Sequence, residues 1–466
     1  MRRSCYLAII GLLAGCSGKK SEEKGPVLFT AMSAEQTGIT FSNQLNFSDS
    51  VHIFLDQYLF NGGGVAAGDV NNDGRCDLFF TGNQGGCKLY LNQGDFKFKD
   101  VTASSGISTS GWCSGTSMTD VNNDGFLDIY VCRSANQMPA NIRAHELRNL
   151  LFINKGDGTF TEQSEALGLN GLEYSSHGTF FDMENDGDLD LYVANHPFNW
   201  AINMDKPYRR EDNYNDTFTN SLWENTGKGF KNITKKAGVS SYSFGLAVSA
   251  ADLDQDGLQD LYVSNDYEYP DFVWKNKGNG TFEDMRNRWF RHTSFYSMGN
   301  DLGDVNNDAL PDVVTVDMLP PDNYRKKTQV GPLNWDRYSM RVANGYGEQF
   351  MRNTLQINNG NGSFSDMACL AGVAETDWSW SPLLADYDND GKNDLFISNG
   401  YYRDYNDLDY INYKVEQFRK LNMDNYKGFK QGYYLKFANE MPYKKLKNFA
   451  FRNKNGVQFE DVSSAW

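Results

Sequence analysis

Short apolar runs rich in β-branched and aromatic residues alternate along this chain with acidic, glycine-containing loops. The runs "LFF", "IYV", "LYV", "LYV", "VVT" and "LFI" each follow a loop of the form D-x-[DNE]-x-D-[GA]-x-x-D. The loops begin at Asp69, Asp120, Asp182, Asp252, Asp304 and Asp386, with steps of 51, 62, 70, 52 and 82 residues between them. A second block follows each run: "LYLNQGDFKF", "LFINKGDGTF", "LWENTGKGF", "VWKNKGNGTF", "LQINNGNGSF" and "FRNKNGVQF". Its apolar start, Asn-x-Gly turn and aromatic end predict two strands joined by a tight turn. A small-residue stretch such as "GLAVSAAD" leads into each acidic loop. Every module therefore predicts four strands, A to D, with the acidic loop between A and B and the Asn-Gly turn between C and D. Four short strands per module, repeated six times, predict an all-β fold, a β-propeller of four-stranded blades. A sandwich would not explain why every module repeats the same pair of hairpins.

The acidic loops carry the most specific chemistry. Calcium takes six to eight oxygens from carboxylates, amides and backbone carbonyls in flexible geometry. Positions 1, 3, 5 and 9 can converge with the carbonyl of position 7 if the chain curls, and Gly at position 6 permits that curl. The expected ligands are Asp69, Asn71, Asp73, Arg75 and Asp77 in the first loop, and Asp120, Asn122, Asp124, Phe126 and Asp128 in the second. Asp182, Glu184, Asp186, Asp188 and Asp190 follow, then Asp252, Asp254, Asp256, Leu258 and Asp260. The last two sets are Asp304, Asn306, Asp308, Leu310 and Asp312, and Asp386, Asp388, Asp390, Lys392 and Asp394. An EF-hand would need Glu at position 12, where this chain has Phe80, Val131, Val193, Val263, Thr315 or Ile397 inside a strand. Ala309 replaces the loop glycine in the fifth copy, which predicts a weaker or differently shaped site. Five or six structural Ca2+ are expected, and they would offset most of a formal net charge of -16.

That acidic balance argues against a nucleic-acid groove. The segment "MRRSCYLAIIGLLAGC" has Arg2 and Arg3, a short apolar run and then small residues up to Cys16. It predicts a secretory signal over residues 1–16, and "LAGC" resembles a bacterial lipobox in which Cys16 is lipidated. Residues 17–27 read as a flexible polar tether, with an acidic "SEE" of the kind that marks some surface-exported lipoproteins. The expected address is a bacterial envelope, lipid-anchored, in the outer membrane and at its surface, with no other contact to a membrane. Beyond Cys5 and Cys16, the cysteines Cys76, Cys87, Cys113, Cys132 and Cys369 are odd in number and irregularly spaced. Buried free thiols are expected, and an oxidising compartment leaves room for one bridge among the first four.

Taken together, these loops resemble those of FG-GAP/VCBS-repeat β-propellers, as in integrin α-subunit heads and cartilage acidic protein. The stretch "TDWSWSPLLADYDNDGKNDLFISNGYYRDYNDLDYIN" is similar to bacterial lipoproteins of this kind that occur with an ASPIC/UnbV segment. The resemblance covers roughly residues 29–466 and implies the propeller, over 28–466, and its calcium. It implies activity poorly, because propellers host both binders and enzymes. The strand-D signal occurs after all six loops, and one more copy, "LFTAMSAEQTGITF", precedes the first. Seven D strands for six A-B-C sets suggest a six-module arc of a seven-bladed ring, truncated at its C-terminal side. A tight six-bladed closure is the alternative.

The long insertions all fall between strands B and C, on the face opposite the acidic loops. They are rich in Tyr, Trp, Arg and Lys, which suits a glycan or a protein partner. The candidate ligand residues are Trp200, Tyr208, Arg209, Arg210, Tyr324, Arg325, Trp335, Tyr338, Tyr401, Tyr402 and Arg403. "VEQFRKLNM" predicts a short helix within the sixth insertion. The five His show no metal-ligand spacing and no nucleophile elbow occurs. A binding or adhesion module is therefore expected, with a calcium-dependent polysaccharide lyase or hydrolase as the alternative.

Overall fold

The computed structural model describes residues 27–49, 51–54, 56–134, 148–197, 218–331, 334–420 and 433–466. The signal, Cys16, all of the tether but Val27, and the candidates Trp200, Tyr208, Arg209 and Arg210 lie outside the described residues. The chain is mainly β, a propeller in which six four-stranded antiparallel blades are detected, each with its strands in sequence order. Blade 1 is Val65–Gly68, Asp77–Phe80, Lys88–Asn92 and Phe98–Asp100, and blade 2 is Trp112–Thr119, Asp128–Ser134, Leu150–Asn154 and Phe160–Glu162. Blade 3 is Ser175–Phe181, Asp190–Asn195, Ser221–Asn225 and Phe230–Asn232. Blade 4 is Gly245–Ala251, Asp260–Asn265, Phe272–Asn276 and Phe282–Asp284. Blade 5 is Gly299–Gly303, Asp312–Val316, Thr354–Asn358 and Phe364–Asp366, and blade 6 is Ser379–Ala385, Asp394–Asn399, Phe449–Asn453 and Phe459–Asp461.

The core is divided into apolar layers between adjacent blades. Phe181, Tyr192, Val248, Val263 and Trp274 share one such layer between blades 3 and 4. A strand sandwiched between two neighbours buries both its faces, and strand B of blades 2 to 5 does so at every residue. Blades 1 and 6 differ. Strand B of blade 1 alternates buried and half-buried, leaving Leu78 and Phe80 partly open. In blade 6 it is Phe396, Ser398 and Asn399 that are partly open. On the inner strands Val65 of blade 1 is 59% exposed and Leu383 of blade 6 is 48% exposed. Each of these two blades thus has one apolar face that no complete blade covers.

The N-terminal residues sit at that uncovered edge. Gly38 lies so close to the Phe98 carbonyl that a Cβ there would come within 2.5 Å. Gly168 meets the Phe230 carbonyl of the following blade in the same way, again at 2.5 Å. Phe41 stacks on Phe80 at 5.2 Å, while Phe29 touches Tyr387 and Trp466 of blade 6 at 6.1 and 6.0 Å. The "LFTAMSAEQTGITF" segment therefore bridges blade 1 and blade 6, as a strand D between them would. It forms no strand, however, because no strand C lies beside it to complete a ladder. A one-turn helix, Ala34–Thr37, capped by Ser33, is its regular element.

The insertions are partly helical, beyond what the sequence pattern indicated. Asn323–Gln329 and Trp335–Ala343 occupy the fifth insertion, and Leu408–Lys420 and Tyr433–Glu440 the sixth. The predicted "VEQFRK" helix is the end of Leu408–Lys420. Asp322 and Asn334 cap the first two helices by accepting the N–H of Arg325 and Arg337, a signal legible in "PPDNY" and "LNWDR".

Candidate metal centres

The six loops share one conformation. Position 4 is left-handed in all of them, at φ between 56° (Asn72, Asn185) and 62° (Gln255), and position 6 follows, from Ala309 at 68° to Gly187 at 90°. The position-1 carboxylate ties the curl by accepting two backbone N–H groups. In the first loop Asp69 takes Asp73 N–H at 3.1 Å and Gly74 N–H at 2.7 Å. In the fifth, Asp304 takes Asp308 N–H at 3.1 Å and Ala309 N–H at 2.8 Å. Ala309 thus adopts the glycine geometry, and the fifth loop is not differently shaped.

Position 9 opens strand B, where its carboxylate is buried and doubly bonded. Asp260 accepts Leu253 N–H at 3.1 Å and Asn276 N–H at 2.8 Å, and Asp312 accepts Val305 N–H at 2.9 Å and Asn358 N–H at 2.8 Å. In blades 2 to 6 the Asn that opens the turn between strands C and D also crosses to the preceding blade. Asn276 donates to Met183 O at 2.8 Å, and Asn453 to Val305 O at 2.8 Å. The position-4 Asn of the first, second, third and fifth loops reaches the following blade, with Asn72 donating to Gly125 O at 2.9 Å and Asn307 to Gly391 O at 2.9 Å. The acidic loops therefore fasten blade to blade as well as strand A to strand B.

Burial raises the position-9 carboxyls. Asp128, Asp190 and Asp312 are pushed up to about 6, and Asp260 to about 7. Two loops bring three carboxylate oxygens within 4.8 Å of one another: Asp252, Asp254 and Asp260, and Asp386, Asp388 and Asp394. These two triads can hold metal ions. Three other loops have an amide at position 3 (Asn71, Asn122 and Asn306) in place of the third acid. In the third loop burial and the neighbouring acids, Asp190 first, lift Glu184 to about 8. A divalent cation fits these donors: hard oxygens, a curl already tied, and carboxylates held close to one another.

The residue before each turn Asn differs in charge, which the sequence reading missed. Glu224 adds an acid beside the third loop. Lys275 instead lays its ammonium on Asp256 at 2.7 Å and on Asp254. Arg452, in the same place of blade 6, pairs with Glu460 at 2.7 Å. The residue before the turn lies beside its own loop because strands B and C pair directly.

On the opposite face the candidate ligand residues separate. Tyr324, Trp335 and Tyr402 are exposed. Tyr338 is half-buried and bonded to Glu348. Two expectations are corrected. Arg325 is buried, bonding Asp377 at 2.6 Å and Asp404 at 3.2 Å, so its charge is consumed within the fold. Tyr401 is also buried, stacked on Trp378 at 4.1 Å with its hydroxyl on Gln57 O at 2.7 Å. Arg403 lies over the rings of Tyr402 and Tyr443 at 5.2 and 5.4 Å. A pocket of about 360 Å³ opens beside Tyr402, lined also by Asn43, Gln44, Leu45, Phe47, Phe60 and Gly62. Its N-terminal wall was not singled out from the sequence, although the amide and aromatic content of "NQLNF" and "QYLFNG" was visible there. The segment continues across the face: Tyr58 donates to Asp266 of blade 4 at 3.1 Å and packs on His196 of blade 3 at 4.7 Å.

The cysteines divide as well. Cys87, Cys113 and Cys132 are buried, whereas Cys76 and Cys369 are exposed rather than buried as expected.

Comparison with known proteins fits this geometry. A model described as FG-GAP-like repeat matches residues 39–131, 252–315 and 342–397. Cartilage acidic protein 1 of Mus musculus is 23% identical over 262 residues, and that of Homo sapiens 22% over the same length. These alignments take in 54% of this chain but only 39% and 38% of those proteins, so the chain spans about two fifths of the relatives it matches. Among solved structures, a lectin of Agrocybe aegerita, described as recognising non-reducing terminal N-acetylglucosamine, is 15% identical with a TM-score of 0.43. That alignment covers 85% of this chain and 79% of the lectin. The chain is thus a β-propeller that carries FG-GAP-like repeats over these segments and is distantly similar to cartilage acidic protein 1.

Proposed function

We propose that this chain is a calcium-stabilised binding module of a bacterial envelope, in which all six acidic loops take structural Ca2+ and the opposite face receives a glycan. The observation that carries the glycan reading is the pocket walled by Phe47, Phe60 and Tyr402, with the amides of Asn43 and Gln44 at its side. Aromatic rings stack on the C–H faces of a pyranose while amides bond its hydroxyls. Arg403 beside Tyr402 favours an acidic sugar. The test is calorimetric titration with neutral and uronic-acid oligosaccharides. Tyr402→Ala should abolish any binding seen while leaving the calcium content unchanged. If no saccharide binds, or if Tyr402→Ala binds as before, the pocket is not the site and a protein partner becomes the better reading.

The envelope address rests on Arg2, Arg3, the apolar run and Cys16. Radiolabelled palmitate should enter the wild-type protein in a Gram-negative host and not Cys16→Ala; equal labelling of both would remove the anchor.

The uncovered faces of blades 1 and 6 further support a ring drawn for seven blades, in which residues 29–38 stand in the place of the last strand D. Averaged electron-microscopy views down the axis should show six blades and one open sector. A closed six-fold ring would overturn this.

A further inference from the structure

Two of the buried thiols lie where blade 1 meets blade 2. Cys87 ends the loop into strand C of blade 1, and Cys113 lies near the start of strand A of blade 2. Two hydrogen bonds clamp these segments together. The Cys87 N–H donates to Thr109 Oγ1 at 2.8 Å, and the Asn83 amide donates to the Cys113 carbonyl at 3.0 Å. Between the clamps the two thiols lie close enough that each is the largest influence on the other, lowering the Cys87 pKa and raising that of Cys113. Both belong to the apolar layer of Phe79, Leu89 and Ile107. Cys132, on strand B of blade 2, packs in the next layer with Tyr130 and Leu191. Cys76 and Cys369 are exposed.

We infer that Cys87 and Cys113 form a disulfide that fastens blade 1 to blade 2. Blade 1 has a complete neighbour on one side only, so this is the junction at which a covalent tie restrains an edge blade. Two thiols in one apolar layer, on segments tied together at both ends, need only side-chain rotation and a small approach to reach the S–S bond length of about 2.05 Å. The oxidant is a disulfide donor, either a dithiol-disulfide oxidoreductase or oxidised glutathione. One thiolate attacks the donor and releases its first thiol, giving a mixed disulfide. The other thiolate then attacks that bond and releases the second donor thiol. Two protons and two electrons leave the pair, and the donor gains them. Formation in the cell rests on the envelope reading above, since a reducing cytosol would keep both thiols.

The test separates the two ideas. The full chain, purified reduced, is incubated with oxidised glutathione, denatured with iodoacetamide and sequenced by tandem mass spectrometry without reduction. A Cys87–Cys113 link is expected, with Cys132 alkylated. The melting temperature should rise by a few degrees on oxidation, and Cys87→Ala should abolish that rise. Alkylation of both Cys87 and Cys113, or a link to another cysteine, overturns the inference wherever the protein resides. Protein isolated from cells with trapped thiols should carry the same link; if it does so only after glutathione treatment, it is the envelope reading that fails.

Discussion

Calcium removal should destabilise the propeller in a manner set by pH. Without an ion, burial holds the position-9 carboxyls of Asp128, Asp190 and Asp312 at about 6 and that of Asp260 at about 7, against an ordinary 3.8. At ~1.4 kcal/mol per unit this is ~3–4 kcal/mol per loop at neutral pH. The loop rims are open to water, so about half of that, ~2 kcal/mol each, is a fairer figure. Over four loops the sum is on the order of 6–8 kcal/mol, comparable with the whole stability of a domain, ~5–15 kcal/mol. The folded pKa values are raised, so the native state holds more protons than the unfolded chain between about pH 4 and 7. Stability in EGTA should therefore fall as pH rises through that window and be recovered below it. Calcium binds the deprotonated loops and reverses the trend. Melting curves in EGTA and in millimolar calcium, from about pH 5 to 8, should diverge by more than ~10 °C at the alkaline end and converge at the acid end. An EGTA curve flat across the range, or equal curves at pH 8, would refute the reasoning.

Three further outcomes follow from single residues. Lys275→Met removes the ammonium from Asp254 and Asp256 and should tighten the fourth loop for calcium by about tenfold, read by chelator competition; unchanged affinity would mean that the lysine yields freely to the ion. Ala309→Gly relieves a left-handed alanine worth ~1 kcal/mol, partly offset by the freer unfolded chain, and should raise the melting temperature by about 1 °C. A fall there would show that the methyl packs usefully. Arg325→Leu leaves Asp377 and Asp404 buried without their cation and should cost ~3–5 kcal/mol in urea unfolding. A loss below ~1 kcal/mol would show that water reaches the pair.

The modules were legible because their signals are local. An apolar run after D-x-[DNE]-x-D-G-x-x-D, and an aromatic after Asn-x-Gly, state a strand and its turn within a dozen residues. All six sets of strands stand where that pattern put them. The insertion helices were less legible, since their caps at Asp322 and Asn334 precede stretches with little apolar content. Arg325 and Tyr401 were misplaced for a different reason. A basic or aromatic residue in a long insertion has the composition of a binding loop, and nothing local reveals whether it finds a buried partner.

By itself, then, the sequence determined the strand content, the blade repeat and the loops able to take a cation, because each depends on neighbours a few bonds away. Only the tertiary structure decided how those pieces meet. It set Asn276 and Asn453 on the carbonyls of the preceding blades and Lys275 over its own loop. It also left one face of blades 1 and 6 uncovered. The pocket beside Tyr402 belongs to the same class, for its walls are Asn43 to Phe60 on one side and blade 6 on the other. Contacts between residues more than three hundred positions apart follow from the curvature of the whole ring, which no window of sequence contains.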